Sequence, residues 1–322
     1  MSTPDSKLQT SDLRIIFMGT PDFAVASLDA LVQAGFNIVG VVTAPDKPAG
    51  RGMKLTESAV KKYAVEKGLH ILQPEKLKNP EFIGQLQSLK ADLQIVVAFR
   101  MLPEMVWNMP PLGTVNLHGS LLPQYRGAAP IHWAVINGEK ETGVTTFKLK
   151  HEIDTGDILM QRSFPIGEDE TTGEVHDKMK LIGAEVLVET VKGLAAGNLQ
   201  EVTQSSVVSG ESSVLHQAPK IFTETCQINW DQTVDVLHNF IRGLSPFPGA
   251  LTKLDDKILK VYRSQKESAT HHHPVGKVFS DGKTFIKLSC KDGYIHITDL
   301  QLEGKKRILV EDFLRGYRIT SL

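Results

Sequence analysis

Cysteine is scarce in this chain of 322 residues, which holds only Cys226 and Cys290. They form no CxxC pair, and no Cys and His residues have the spacing of a zinc site. We therefore expect neither a disulfide framework nor a bound metal. Two unlinked cysteines fit the reducing cytoplasm, which is the compartment that we expect.

Long apolar runs are missing as well. No stretch approaches the roughly 20 apolar residues of a membrane-spanning helix, and residues 1–12 are polar, without the apolar core of a signal peptide. We therefore expect no membrane association. Because no long exposed apolar helix needs a partner, we also expect a monomer.

An excess of charge of either sign is absent, since 36 Lys and Arg stand against 37 Asp and Glu. This argues against a generally sticky nucleic-acid binder. The distribution is uneven, however: residues 1–218 hold 20 cations against 25 anions, whereas residues 219–322 hold 16 against 12, a balance of +4. The C-terminal third is thus weakly basic and indicates an anionic partner only weakly.

Glycine is too rare in the first turn for a dinucleotide site. Apolar residues 13–18 predict a buried strand, residues 22–32 an amphipathic helix and residues 37–43 a second strand, which together predict a parallel sheet. The turn of residues 19–24 (GTPDFA) has one glycine where the G-x-G-x-x-G fingerprint needs three. We therefore expect no NAD site.

The character of the chain changes near residue 197. Helical and strand patterns alternate up to that point, residues 198–218 show little periodicity, and residues 219–322 contain several short alternating strands. We predict a mostly parallel α/β domain over residues 1–197, a linker over residues 198–218 and a small β-barrel over residues 219–322.

Residues 114–118 (TVNLH) predict the end of a strand that opens into a glycine-containing loop. Side chains alternate along a strand, so Asn116 and His118 lie on the same face. Ligands bind at such carboxyl ends in open α/β sheets. His118 can exchange protons near pH 7, Asn116 can donate to a developing oxyanion, and Asp154, in an acidic turn after another strand, can orient His118 or relay a proton.

The same pattern also fits a structural role, in which these side chains satisfy the backbone of loops and turns. No Ser or Cys lies in a nucleophile-elbow pattern. If the three residues are catalytic, direct transfer between two bound substrates therefore suits them better than a covalent enzyme intermediate.

A basic loop follows the second predicted strand. Residues 44–55 contain Pro, Gly and the cations Lys47, Arg51 and Lys54, which predicts a loop without regular structure. It is either a solvated connection or a finger that docks on phosphates. The run His271–His273 is interpreted as part of a surface loop and not as a metal site.

Three blocks of the sequence together resemble the formyltransferases that use 10-formyltetrahydrofolate: residues 116–123 (NLHGSLLP), 126–131 (RGAAPI) and 154–158 (DTGDI). Residues 17–23 (FMGTPDF) and 45–52 (PDKPAGRG) are similar to the branch of this family that formylates methionyl-tRNA. The likeness is strong over residues 13–190 and continues more faintly to about residue 250.

The resemblance implies a Rossmann-like catalytic domain followed by a domain similar to an OB-fold barrel. It implies that Asn116, His118 and Asp154 carry catalysis. It further implies that a loop helps to hold the folate co-substrate, through Ser120, Leu121, Leu122 and Pro123. The implied activity is transfer of the formyl group from 10-formyltetrahydrofolate to the α-amino group of methionyl initiator tRNA, for translation initiation.

In this interpretation, Lys47, Arg51 and Lys54 contact the tRNA, and the weakly basic C-terminal domain follows its phosphates. One stretch, Phe99-Arg100-Met101, departs from the family's pattern of an aromatic followed by glycine and is a residue shorter, so we expect an altered floor of the folate pocket. Two alternatives stay open: a sugar-nucleotide N-formyltransferase, and a non-catalytic RNA-binding protein on the same scaffold.

Overall fold

The computed structural model describes residues 12–49, 54–207 and 214–320. These residues divide into two compact units. The first unit takes in the described residues up to Arg126, together with Gly143–Ser163 and Asp177–His216. The second takes in Gly127–Thr142, Phe164–His176 and the described residues from Gln217 onward.

The described strands, in chain order, are β1 Arg14–Gly19, β2 Asn37–Val42, β3 Lys47–Ala49, β4 Lys54–Thr56, β5 Ile71–Leu72, β6 Leu93–Val97, β7 Thr114–His118, β8 Arg126–Gly127, β9 Glu141–Lys148, β10 Ile158–Pro165, β11 Gln217–Ala218, β12 Ala250–Leu254, β13 Lys257–Ser268, β14 Val278–Ser280, β15 Ile286–Cys290, β16 Gly293–Leu302 and β17 Ile308–Leu309. The helices are α1 Asp22–Gln33, α2 Ala59–Glu66, α3 Pro80–Ser88, α4 Glu104–Trp107, α5 Pro130–Ile136, α6 Thr172–Ala196, α7 Gln204–Val207, α8 Val234–Gly243 and α9 Val310–Gly316, with a short 3₁₀ helix at Glu224–Cys226.

The large sheet has seven strands in the order β10-β9-β7-β6-β1-β2-β5. β1 lies parallel to β2 and β6, β2 lies parallel to β5, and β6 lies parallel to β7, whereas β9 runs antiparallel to β7. The predicted mostly parallel sheet is therefore confirmed. The chain adds strands outward from β1 on one side and from β6 on the other. This reversal leaves a crevice at the carboxyl ends of β1 and β6.

Local sequence explains why elements such as α3 begin where they do. The Asn79 side chain accepts a hydrogen bond from the Glu81 backbone N–H at 3.0 Å, and Pro80 occupies the first turn, where a missing N–H has no cost. Phe82 and Leu86, four residues apart, are the buried members of the helix. They join the core cluster that also contains the strand residues Ile16, Met18, Val42 and Val96.

The second unit contains a curled antiparallel sheet in which β12, β13, β16, β15 and β14 follow one another and β17 pairs with β16. Helix α8 supplies Leu237 and Ile241 to the core of this sheet. Cys226 and Cys290 are both buried in that core and both are free. The predicted small β-domain after an α/β domain is confirmed, in the form of a half-barrel.

The base of the basic loop is a β-hairpin, so the expectation of a loop without regular structure is wrong there. β3 pairs antiparallel with β4, with Lys47 opposite Thr56 and Ala49 opposite Lys54. The two strands pair through their backbones although β3 contains Pro48, a residue that a sequence pattern alone marks as a strand breaker. Residues 50–53, at the tip, lie outside the described residues.

The longest helix, α6, has 25 residues. Within the described ranges, no helix combines the length and the apolar character needed to cross a bilayer.

Candidate active site

Strand β7 carries two of the predicted site residues into the carboxyl edge of the sheet. Asn116 lies opposite Val96 of β6, and His118 lies opposite Thr145 of β9. Val115 and Leu117 are buried on the other face, as the alternation of a strand requires. Asn116 is half-buried and His118 is buried, and the two lie on one face at the carboxyl end of β7.

The imidazole of His118 has different partners at its two nitrogens. Nε2 lies 2.9 Å from the backbone oxygen of Tyr125. A carbonyl oxygen can only accept, so Nε2 carries a proton and donates it to this bond. Nδ1 points to Asp154, with its carboxylate Oδ2 at 3.8 Å. The edge of the ring meets Phe147 in a T-shaped contact, at 6.4 Å between centroids.

Asp154 lies in the turn between β9 and β10 and is thus brought to His118 from 36 residues away in the chain. Its side chain is 12% exposed, and its backbone has a φ of +55°, in the left-handed region. The 3.8 Å separation exceeds that of a direct hydrogen bond but is within the range of an ion pair. The structure therefore gathers the predicted His118 and Asp154 into one partly desolvated pair.

The predicted folate loop after β7 is held by its own side chains. The Ser120 hydroxyl donates a hydrogen bond to the backbone oxygen of Gln124 at 2.6 Å, and Leu122 packs with Phe147 and Ile158. The Thr145 hydroxyl donates to the backbone oxygen of Ser120 at 2.7 Å and accepts from the Leu122 backbone N–H at 3.0 Å.

The side chains of Ser120 and Leu122 thus fix the shape of this loop. Pro123 is buried and Leu121 is half-buried. Contacts from the loop to a ligand would therefore have to come largely from its backbone and from Leu121.

A cavity of about 470 Å³ occupies the crevice at the ends of β1, β2 and β6. Its lining residues follow those strands or belong to the hairpin base, namely Thr20, Ala44, Pro45, Asp46, Lys47, Glu75, Phe99 and Arg100. Arg100 also lines a neighbouring cavity of about 390 Å³. Its guanidinium donates to the backbone oxygens of Pro74 and Glu75 and lies 5.6 Å from the Phe99 ring. Phe99 and Arg100, in the stretch that departs from the family's pattern, therefore form one wall of the crevice.

The root of the β3–β4 hairpin is fixed by Asp46. Its carboxylate accepts hydrogen bonds from the Lys61 ammonium and from the Gln73 amide, and these bonds hold the pKa of Asp46 below its usual value. Lys47 is exposed beside it. Of the other predicted tRNA contacts, Arg51 lies outside the described residues, and for Lys54 the structure describes only the backbone.

Some polar residues next to the site were not predicted. Thr145 and Gln161 hold the 120–123 loop, since the Gln161 amide donates to the Leu122 oxygen and to the Thr145 hydroxyl, both at 2.9 Å. Gln204, inside the predicted linker, donates to the backbone oxygens of Asp154 and Gly156. No local pattern distinguishes Gln204, because its partners are brought to it only by the tertiary fold.

The histidines of the run 271–273 have partners of their own. His271 Nε2 donates to the Gly293 oxygen at 3.0 Å, and the rings of His271 and His273 stack with their centroids 5.7 Å apart. In the part of the chain that the structure describes, no three His, Cys, Asp or Glu side chains are grouped as metal ligands.

Comparison with known proteins identifies relatives over nearly the whole chain. Residues 13–191 match the formyl transferase family model, and residues 220–318 match the model of the formyl transferase C-terminal domain. The methionyl-tRNA formyltransferase of Parabacteroides distasonis is 55% identical over 317 residues, covering 97% of this chain and 98% of the relative. The protein of the same name from Phocaeicola vulgatus is 56% identical over 320 residues, covering 98% of both chains.

A solved structure shares the fold at much lower identity. WlaRD, a sugar 3N-formyl transferase crystallised in the presence of dTDP and 5-N-formyl-THF, superimposes with a TM-score of 0.64 and is 20% identical. The match covers 91% of this chain and 99% of that one. At this identity the likeness supports the architecture alone.

Proposed function

Since the chain belongs to the formyl transferase family, we propose that it transfers the formyl group of 10-formyltetrahydrofolate to the α-amino group of methionyl initiator tRNA. The observation that carries the proposal is the pairing of His118 and Asp154 on the strand-end face that also presents Asn116. The names of relatives more than half identical over nearly the full chain support the choice of tRNA as the acceptor.

Asn116 and His118 would stabilise the oxyanion that develops on the formyl carbonyl when the amine attacks. The Asn116 carboxamide donates an N–H and cannot itself ionise, so it offers the same dipole throughout the reaction. His118 donates or exchanges its proton at Nδ1, because Nε2 is already bonded to the Tyr125 oxygen. Preorganised donors of this kind, together with positioning of the two substrates, supply most of the acceleration.

Asp154 would act on the proton that the attacking amine must lose. Its carboxylate faces Nδ1 of His118 at 3.8 Å and can orient that ring. It also receives the proton of the amine and returns one to the nitrogen that leaves. The formyl group and its leaving nitrogen are supplied by the folate, and the chain supplies the proton movements.

The loop of Ser120, Leu121, Leu122 and Pro123, which follows β7, would help to hold the folate at the carboxyl edge of the sheet. The crevice itself, about 470 Å³ in volume, is lined by the aromatic Phe99 and by polar residues such as Thr20 and Asp46, which suits a flat heteroaromatic ring with hydrogen-bonding edges. Arg100 lines the crevice and is held by hydrogen bonds to the Pro74 and Glu75 backbone oxygens.

Phosphate contacts would come from the hairpin and from the C-terminal domain. Lys47 and Lys54 belong to the β3–β4 hairpin, whose base borders the crevice, and Arg51 lies between these strands in the sequence. The balance of +4 in residues 219–322 adds a weak attraction for the same polyanion. The division into residues 1–197, 198–218 and 219–322, the absence of NAD and metal, the monomeric state and the cytoplasmic location stay predictions.

The proposal is tested by incubating the protein with 10-formyltetrahydrofolate and methionyl-charged initiator tRNA and measuring formylmethionine. We expect formylation by the wild type and a loss of about 10²- to 10³-fold in turnover for Asn116→Ala, as for removal of one donor at other acyl-transfer sites. For Asp154→Ala we expect a loss of about 10²- to 10⁴-fold, the usual contribution of a group that moves protons. Formylation of a nucleotide-sugar amine in place of the tRNA would select the sugar formyltransferase. Binding of tRNA without any formylation would select the RNA-binding scaffold.

A further inference from the structure

Gln204 is a buried carboxamide with every hydrogen-bonding position in use. Its Oε1 accepts from the Arg126 guanidinium, at 3.0 Å from Nε and 2.6 Å from Nη2. Its Nε2 donates to the backbone oxygens of Asp154 and Gly156, both at 2.8 Å. Only 4% of the residue is exposed. A buried amide with two acceptor and two donor contacts is held in one orientation.

The turn that Gln204 holds is one that needs support. Asp154 has a φ of +55°, which an L-residue adopts only at some cost in conformational energy. Gly156 is pressed against β9 so closely that a Cβ there would lie 1.6 Å from the Lys148 oxygen. Residues next to Gln204 reinforce the contact, since Val202 and Ile158 exchange two backbone hydrogen bonds of 2.8 and 2.9 Å.

The contacts of Gln204 lead back to His118. The Tyr125 oxygen, which accepts from His118 Nε2, belongs to the residue next to Arg126, which is bonded to Gln204. The dipeptide Tyr125-Arg126 thus holds the imidazole of His118 through the backbone oxygen of Tyr125. Through the side chain of Arg126 it also holds Gln204, which in turn holds the Asp154 turn. The contacts thus run from His118 through Tyr125 and Arg126 to Gln204, and from Gln204 to Asp154. The 3.8 Å separation between Asp154 Oδ2 and His118 Nδ1 completes this ring.

We infer that Gln204, held by Arg126, is a positioning residue that sets the distance between the Asp154 carboxylate and His118. It touches no reacting atom, and its effect on formyl transfer, which rests on the proposed function, is exerted through the Asp154 backbone. Gln204→Leu removes both sets of contacts. Gln204→Glu keeps an acceptor for Arg126 but turns a carboxylate oxygen toward the two backbone oxygens that Gln204 now satisfies.

For both variants we expect kcat to fall by about 10- to 100-fold, with the KM values for folate and for tRNA within about twofold of wild type, because a small displacement of a catalytic group lowers the rate without removing binding contacts. Ser205→Ala is the matched control, since Ser205 is the exposed neighbour on α7. It should keep wild-type kcat. A wild-type kcat in folded Gln204→Leu would overturn the inference.

A double-mutant cycle separates positioning from general stability. In an Asp154→Asn background, Gln204→Leu should reduce kcat by no more than about twofold, because the group that it positions is already disabled. An equal fold-loss in both backgrounds would show that Gln204 acts only on overall stability, and would overturn the inference.

A crystal structure of Gln204→Glu tests the inference without any assay. We expect the Asp154 turn to shift and its carboxylate to move away from His118 Nδ1. An unchanged separation would overturn the inference whatever the rates. Failure of the proposed function would look different, because the wild type and Ser205→Ala would then leave charged tRNA unformylated while the structural result would still stand.

Discussion

The two ring nitrogens of His118 have different partners, and this difference can be tested by substitution. Its Nε2 is bonded to the Tyr125 backbone oxygen at 2.9 Å, and its Nδ1 faces Asp154 at 3.8 Å. Under the proposed function, Nε2 has a structural role and Nδ1 a chemical one. Side chains that imitate one nitrogen each can distinguish these duties.

We predict that His118→Gln keeps the fold but loses the chemistry. A Gln amide reaches the position of Nε2 and can still donate to the Tyr125 oxygen, whereas it leaves nothing at Nδ1. Turnover should fall by about 10²- to 10⁴-fold, the usual contribution of a general acid–base group. Unfolding in denaturant should give a free energy close to that of the wild type.

His118→Asn is the matched variant, because its amide reaches the position of Nδ1 and not that of Nε2. It should be destabilised by about 0.5–1.5 kcal/mol, since the hydrogen bond from the residue at position 118 to the Tyr125 backbone oxygen is lost. Equal stability of the two variants would contradict the assignment of the two nitrogens.

At the scale of elements, helix glycines show how packing overrides intrinsic preference. Gly84 in α3 is exposed, and a Cβ there would meet no atom within 4 Å. Gly183 in α6 is buried, and a Cβ there would lie 2.9 Å from Leu117 Cδ2. Leu117 lies between Asn116 and His118 on β7, so this close approach seats α6 directly under the site strand.

We predict opposite effects of the same substitution at these two positions. Gly84→Ala should raise the free energy of unfolding by roughly 0.5–1 kcal/mol, because alanine loses less conformational entropy in a helix. Gly183→Ala should lower it by about 1–3 kcal/mol, because the added methyl overpacks a filled core. Chemical denaturation of both variants measures the difference, and a stabilised Gly183→Ala would show that α6 can move away from β7.

At the scale of the whole molecule, the charges are nearly balanced but unevenly placed. The formal net charge is −1, while residues 219–322 carry 16 cations against 12 anions. A molecule of this kind has little long-range attraction for nucleic acid. Under the proposed function, affinity for tRNA would then come from local contacts, for which Lys47, Arg51 and Lys54 are the predicted residues.

We predict that KM for the tRNA depends much more strongly on salt concentration than KM for the folate does. Each phosphate contact releases a bound cation from the nucleic acid, so three such contacts should raise KM for tRNA on the order of 10-fold or more between about 50 and 200 mM salt. KM for the folate should change by less than about threefold, because a small ligand has no such cation atmosphere. Equal salt dependence of both KM values would contradict phosphate contacts by the hairpin.

The sequence by itself determined the architecture and the chemical candidates. Apolar periodicity in β1, α1 and β2 is local, and it predicts the parallel sheet because side-chain spacing follows directly from backbone geometry. The same holds for Asn116 and His118, which share a face because they are two residues apart on one strand. The acidic turn after another strand supplied Asp154 as the third candidate, and the family motifs supported all three.

Only the tertiary structure decided what depends on distant partners. β13 extends to Ser268 through the polar residues 263–268, because pairing with β16 satisfies its backbone whatever its side chains. Asp46, next to β3, is bonded to Lys61 and Gln73, and Gln204 is bonded to Arg126 and to the Asp154 backbone. No local pattern carries such information, since a hydrogen bond between residues 50 or 78 positions apart exists only once the chain has folded.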